Sequence, residues 1–469
     1  MEPPETQPGL RKDQLSFIEN VAQSIGNMAP SGGVALLVPL AFAFSGNVTW
    51  LLYLGIMVAY WLIGLNINEF ATRTASPGAL SHFSEVAFGA TAGVAAGWVY
   101  VIALVFCLIS PALTFAHYMI VFYQAAGLAD HGPLVGVLFL LLGTVIMVGI
   151  SIKGIRMSTD LILLMECISV GLMLVLTAVF LFWGHHGVDH DQFRLTGVTW
   201  RGMRSASILA LFAMSGFETV VCFGGESKKA LKNIPRALLA GLLPVGLLFF
   251  VMSYVMVFSF KGFTTPLDQA AAPFDHLAAV CGLPFFGHLI NFGVMMSFFA
   301  CALAGLNAAS RVLFSMARKH LVWRRLGTAR TAAATPRAAL LLIGAVSVGI
   351  PLVMMAAGLT LDQCIDYTTQ IGACGYILSY TGVCVGAPVY LWRLGQLRGR
   401  HVLLSLAAAA ILSLPLVATV YPVPDGAPRY FPYLVLAGSV LATAASCLFQ
   451  RRNPVAAIPA EAVAEAATS

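Results

Sequence analysis

Long apolar runs alternate with short polar turns along almost the whole chain. Spanning a bilayer core takes roughly 20 apolar residues in a helix. Windows of that kind run at 21–44, 49–71, 94–125, 133–152, 159–183, 204–225, 235–260, 286–316, 337–358, 364–391, 401–421 and 430–449. The pattern predicts an all-α integral membrane protein of twelve transmembrane helices, called spans 1 to 12 below. Two spans are interrupted at their centres. Span 1 carries Ala29-Pro30-Ser31-Gly32-Gly33, and span 6 carries Ser215-Gly216. In an exposed helix interior a Gly costs about 1 kcal/mol relative to Ala and a Pro about 3. Clustering such residues at one depth therefore points to two broken helices, five spans apart. Breaks at mid-membrane expose backbone hydrogen-bonding groups, the means by which transporters hold polar solutes.

Composition agrees with this. Apolar residues make up 59% of the chain, charged ones 10%, and the mean hydropathy is +0.86, which leaves no room for a soluble domain. The first 20 residues are polar, so no cleavable signal peptide is expected. The net charge of +6 reflects topology rather than nucleic-acid binding. Of the 26 Lys and Arg residues, all but Arg194, Arg201, Arg204, Lys261 and Arg429 fall on one side of the twelve-span scheme. Positive residues mark the cytoplasmic side, so both termini are expected in the cytoplasm. The nine cysteines show no metal-type spacing, and the His-rich stretch at 185–191 reads as an ordinary solvated loop. No catalytic group, metal or cofactor is expected. The absence of a lysine-bearing phosphate loop argues against direct use of ATP.

Four stretches carry a resemblance to a known family. They are LSFIENVAQSIGNMAPSGG entering the span 1 break and LNINEFATRTASPGALSHFSEVAFGATAGVAAGWVY between spans 2 and 3. The others are SGFETVVCFGGESKKALKNIPRALLAG across spans 6 and 7, and LNAASRVLFSMARKHLVWRRLG at the end of span 8. Together they resemble the amino acid–polyamine–organocation (APC) superfamily of bacterial amino acid permeases. The sequence departs from the family at Lys319-His320, where Asp-Gly is usual, and at Trp323, which replaces a common Pro. The resemblance implies a LeuT-type five-plus-five inverted repeat with two peripheral helices. Its divisions would be a cytoplasmic segment 1–20, a first repeat 21–185, an inverted second repeat 202–392, spans 11 and 12 within 401–450, and a disordered tail 451–469. It also implies a secondary active transporter in the cytoplasmic membrane, acting on an amino acid or related amine as a monomer or homodimer.

Residue chemistry supports a zwitterionic substrate independently. Free N–H groups at a half-helix N-terminus favour an anion, and free carbonyls at a half-helix C-terminus favour a cation. Ala29, Pro30, Ser31, Gly32 and Gly33 are thus assigned to the α-carboxylate. The stretch from Phe212 through Ala213 and Ser215 to Gly216 is assigned to the α-amine. Ala103, Cys107 and Ser110 on span 3 fall at helical spacing and are expected to face the substrate. Phe212 is the candidate gate and Glu218 its candidate support. No carboxylate sits mid-span 3, so a neutral amino acid is expected rather than a cationic one. Some proton-coupled relatives carry a Lys on span 5; this sequence has none there, but it has Glu166, with Ser169 on the same face. Glu166 is the candidate proton carrier, while Ser297 on span 8 keeps sodium coupling open. Glu69 reads as structural and Asp366 as ordinary. Two alternatives stay open: a carrier for amines, polyamines or urea-type solutes, and a solute-gated channel or non-transporting sensor.

Overall fold

The computed structural model describes residues 9–452 except 126, 128–132, 184–186, 196–197, 271, 330–333, 422 and 425. His185, His186 and the tail from 453 onward lie outside the described residues. The helices are α1 Phe17–Met28, α2 Pro30–Ser45, α3 Thr49–Ala71, α4 Leu80–Phe88, α5 Ala90–Ala125, α6 Pro133–Lys153, α7 Ile155–Ala178 and α8 Trp200–Met214. They continue as α9 Ala230–Ser259, α10 Pro273–Val280, α11 Pro284–Arg318, α12 Arg337–Ala356, α13 Leu361–Arg393, α14 Gly399–Ala418 and α15 Phe431–Arg452. No strand occurs among the described residues. Among the described residues eleven segments are long and apolar enough to cross a membrane. The first, Phe17–Ala71, is 55 residues long, and the 3-10 turn Gly46–Val48 divides it at the boundary expected between spans 1 and 2.

Burial separates a central group of helices from a peripheral one. The most apolar window of Trp200–Phe223 is 94% buried and that of Pro284–Arg318 is 83% buried, against 28% for Ala427–Arg452. A helix apolar on every side must lie inside the bundle or against lipid. The exposed Leu and Val of α6, α12 and α15 therefore form the hydrocarbon-facing surface.

Both interruptions fall where the sequence places them. Ala29 takes a left-handed conformation (φ 43°, ψ 62°) and ends α1. Pro30, which lacks an N–H to extend that helix, begins α2 with its fixed φ. In the second break Ser215 is extended and Gly216 has φ 94°, a backbone that glycine adopts without steric cost. The chain then continues as a 3-10 helix, Phe217–Phe223.

At the end of the bundle bearing Lys228 and Lys229, the chain before α1 is tied down by backbone bonds. The N–H groups of Gln14 and Leu15 donate to the Glu226 carbonyl at 2.7 and 3.1 Å, and Lys228 N–H donates to the Leu15 carbonyl at 2.8 Å. Arg311 of α11, 1% exposed, grips the Glu226 carboxylate through Nε and Nη2. Its Nη1 reaches the Asn307 carbonyl at 2.9 Å, and its Cζ lies 4.8 Å from the centre of the Phe223 ring. Lys319, one of the departures from the family pattern, pairs with Glu85 of α4. Glu69 pairs with Arg73 at 2.8 Å, as its structural reading expects.

At the opposite end, Lys261 Nζ lies 2.7 Å from Asp189 and 2.6 Å from Asp191. Its hydrogen bond holds the Asp191 carboxyl below the usual carboxylate range. The acidic residues of the His-rich loop thus anchor the connection into α8.

Removing one partner of a buried ion pair leaves the other charged and unsatisfied, at about 3–5 kcal/mol. Arg311→Met or Glu226→Gln should lower thermal stability by that order. The double variant should recover part of the loss, and melting curves of the purified proteins measure both.

Candidate functional site

The two breaks lie side by side and complete each other's hydrogen bonding. Ser24 Oγ of α1 donates to the Phe217 carbonyl at 2.8 Å, and Asn27 Nδ2 approaches the Gly216 carbonyl at 3.5 Å and Cys107 Sγ at 3.9 Å. Cys301 Sγ of α11 donates to the Asn27 carbonyl at 3.2 Å. A side chain at Gly216 would sit 2.0 Å from Asn27 Nδ2, and one at Gly33 would sit 3.7 Å from the Ala213 carbonyl oxygen. The end of α8 and the start of α2 are therefore in direct contact.

Several backbone groups freed by the breaks already have partners. The Leu211 carbonyl accepts from Tyr60 Oη at 2.6 Å and from Ser215 Oγ at 3.0 Å. The Phe212 carbonyl accepts Ser215 N–H at 3.0 Å. The Gly216 carbonyl accepts the N–H and hydroxyl of Thr219 at 3.0 and 2.7 Å. Among the described residues no donor reaches the carbonyls of Ala213, Met214 and Ser215. On the other side Gly33 N–H is used by Ala29 at 2.6 Å and Gly32 N–H is loosely held by Ser297 Oγ at 3.4 Å, whereas Ser31 N–H has no acceptor. Asn27 Oδ1 and Tyr376 Oη are also buried without partners. The first break thus leaves a free N–H and the second leaves free carbonyls, on helix ends that are in direct contact.

A network supports the second break. Tyr380 Oη of α13 accepts Gly216 N–H at 3.2 Å and donates to Glu218 at 2.6 Å. Tyr100 of α5 donates to the other Glu218 oxygen at 3.0 Å. A buried carboxylate needs such donors in the absence of a cation. A second network reaches the first break: Ser297 Oγ bonds both Glu166 oxygens, at 2.8 and 3.1 Å, and Ser31 and Ser169 share a hydroxyl hydrogen bond. Glu166, Ser297 and Gly32 N–H form one chain from α7 through α11 to α2.

Not every expected residue faces the breaks. Cys107 does, but Ala103 packs against Gly375 of α13, where an added Cβ would lie 2.9 Å away, and Ser110 bonds Thr369 at 2.7 Å. Gly32 and Gly33 make room for neighbouring rings rather than for open space. Added Cβ atoms there would meet Phe298 at 3.0 Å and Phe249 at 2.6 Å. Phe212 is nearly buried against Gly372 of α13, one turn below Ile208, which lines a cavity at the far end. Sequence reasoning missed Asn27, Tyr100, Tyr376 and Tyr380. Asn27 alone gave a signal, as an amide two residues before the break.

A family model described as amino acid permease matches residues 15–441. The chain belongs to the amino acid permease family. An uncharacterized transporter of Mycobacterium tuberculosis is 26% identical over 72% of this permease and 73% of its own length. The serine/threonine exchanger SteT of Bacillus subtilis is 26% identical over 67% and 70%. A D-serine/D-alanine/glycine transporter of Escherichia coli is 26% identical over 59% and 61%. This permease is accordingly a multi-pass membrane protein of the APC superfamily.

Gly216→Ala forces a Cβ into Asn27 at a positive φ, a substitution costing more than about 1 kcal/mol. Substrate-induced thermal stabilisation should disappear in this variant, while Ala103→Ser, away from the breaks, should keep it.

Proposed function

We propose that this permease carries small neutral amino acids across the cytoplasmic membrane by alternating access, without covalent chemistry. The observation that carries the reading is the pair of adjacent helix breaks, which leaves Ser31 N–H and the carbonyls of Ala213 to Ser215 without partners among the described residues. The α-carboxylate binds at the first and the α-amine at the second. The named relatives that exchange serine and threonine, or transport D-serine, D-alanine and glycine, support a small side chain. So does the crowding of Phe298, Phe249 and Phe212 around the breaks. The two breaks, five spans apart, correspond under an inverted five-helix repeat, with α14 and α15 outside it. Lysine and arginine bias puts the Arg311–Glu226 end in the cytoplasm. That end is closed by the tied-down N-terminal segment, and the cavity at the other end faces outward.

Phe212 closes over bound substrate from the outer side, and the Tyr380–Glu218–Tyr100 network holds the backbone it stands on. Glu166 couples transport to protons. It is 4% exposed, has no cation partner among the described residues, and is joined through Ser297 to the first break. A proton on Glu166 changes the hydrogen bonding that Ser297 can offer Gly32, and so links charge to the geometry of the cradle.

Uptake into proteoliposomes across the twenty amino acids, with and without a pH gradient, tests the assignment. Serine, alanine, glycine or threonine should accumulate, and a preference for amines, polyamines or urea would overturn it. Glu166→Gln should abolish accumulation on an inward proton gradient yet retain exchange; unchanged accumulation reduces Glu166 to a structural role. Phe212→Ala should speed substrate leak more than it lowers thermal stability. A plain core Phe would instead cost about 3–5 kcal/mol in folding.

A further inference from the structure

At the end of the bundle closed by Arg311 and Glu226, four cations crowd one cavity. The cavity has a volume of about 460 Å³ and lies between the segment that leads into α1 and the start of α9. Ser16 and Phe17 line it from the first, and Lys228, Lys229, Lys232 and Arg236 from the second. None of the four cations joins an ion pair among the described residues. The two carboxylates nearby in sequence are committed elsewhere. Glu19 accepts Ser16 N–H at 2.5 Å and faces Arg156 at 3.4 Å, and Glu226 is held by Arg311. Lys229, Lys232 and Arg236 follow at steps of three and four residues, so they stack on one helix face, where like charges repel. Lys229 and Lys232 also sit at the N-terminal, positive pole of α9, whose first turn holds no acidic residue. The N–H groups of Ala230 and Leu231, which open that turn, have no acceptor among the described residues. Side-chain charge, helix pole and free amides all call for an anion. Setting orientation needs only that positive residues be spread over the loops of one side; here they converge on a single cavity.

We propose that this cavity seats the headgroup of an anionic phospholipid of the adjoining leaflet, with its phosphate among Lys228, Lys229, Lys232 and Arg236. Charge complementarity selects an anion, and position selects a lipid. Phe17, Ile18 and Leu231, beside the cations, expose large apolar side chains, which offer a lipid's chains a surface and a soluble anion nothing. Basic pockets between membrane helices hold such headgroups. The site also touches the closure of this end. Lys228 N–H bonds the Leu15 carbonyl, next to Ser16 on the cavity wall. One lipid therefore contacts both the segment before α1 and the start of α9, and adds a link across a junction that must part if this end is to open. The inference needs the multi-pass membrane placement and not the transport reading.

The test is native mass spectrometry of the full chain released from nanodiscs that mix phosphatidylcholine with a minor share of phosphatidylglycerol. Wild type should retain one phosphatidylglycerol per chain in preference to phosphatidylcholine, and the same lipid should raise its melting temperature. Each Lys near an anionic surface is worth about a fivefold factor in binding. Lys228→Gln, Lys229→Gln and Lys232→Gln combined should therefore bind about a hundredfold more weakly and lose the thermal shift. Arg393→Gln, Arg451→Gln and Arg452→Gln combined, which take the same charge from other helix ends on the same side, should keep both. If the lysine triple variant misfolds, two other measurements decide: Lys232→Gln alone should bind about fivefold more weakly, and high salt should erase the wild-type thermal shift. Equal weakening by the two triple variants, or no preference for phosphatidylglycerol in wild type, overturns the site. Displacement of the lipid by inorganic phosphate would give the cavity to a soluble anion. A carbodiimide cross-link from Lys232 to Glu461 or Glu465 would give it to this chain's own C-terminal residues. Either result overturns the lipid assignment.

Discussion

Inside a hydrocarbon layer no backbone N–H or carbonyl can be left to solvent, so a helix broken there must find partners for every group it frees. The rest of the structure depends on how that demand is met. The break after Met28 and the break after Met214 are placed against each other. Ser24, Asn27, Ser215, Thr219 and Tyr60 then satisfy most of the liberated groups. What remains unsatisfied is small and bipolar. A residual set of free donors and acceptors at that depth is costly while it stays unpaired.

The support for this cradle comes from helices on all sides. Tyr380 fixes the orientation of Gly216 by accepting its N–H while donating to Glu218, so α13 and the second break cannot move independently without losing both bonds. Ser297 does the same for the first break from α11. The contacts are hydrogen bonds between hydroxyl, carboxylate and backbone groups, which can be exchanged for others of similar strength as helices shift. The apolar packing around them is not so easily exchanged. Phe249 and Phe298 fill the space left by Gly33 and Gly32, which lets α2 approach its neighbours closely and gives the half-helix a rigid seat.

The two ends of the bundle are built differently. At one, a buried arginine–glutamate pair joins α11 to the strand-like segment before α1 through backbone bonds at Glu226. At the other, charged groups line a chamber without pairing. An ion pair in a low-dielectric setting is worth keeping only when its geometry and secondary hydrogen bonds are complete. Arg311 meets that condition with Asn307 and Phe223 as additional partners; Arg204, with a single aromatic neighbour, does not.

The sequence by itself determined that the chain crosses a membrane many times and that two of its helices break near Ala29 and Gly216. It also determined that Glu166 and Ser169 share a face of α7. These are local properties: hydrophobic run length, the missing N–H of proline, the freedom of glycine at positive φ, and the repeat of the helix. Which face of α5 meets the breaks was not legible, because an apolar helix carries no periodic signal to separate protein from lipid. Ala103 was accordingly assigned to the site and lies against Gly375 instead. The partners of Glu218 are separated from it by 118 and 162 residues, and the partner of Glu226 by 85. Only tertiary packing decides which buried polar side chains meet, since in an apolar interior each must find whatever donor or acceptor the neighbouring helix brings to the same depth.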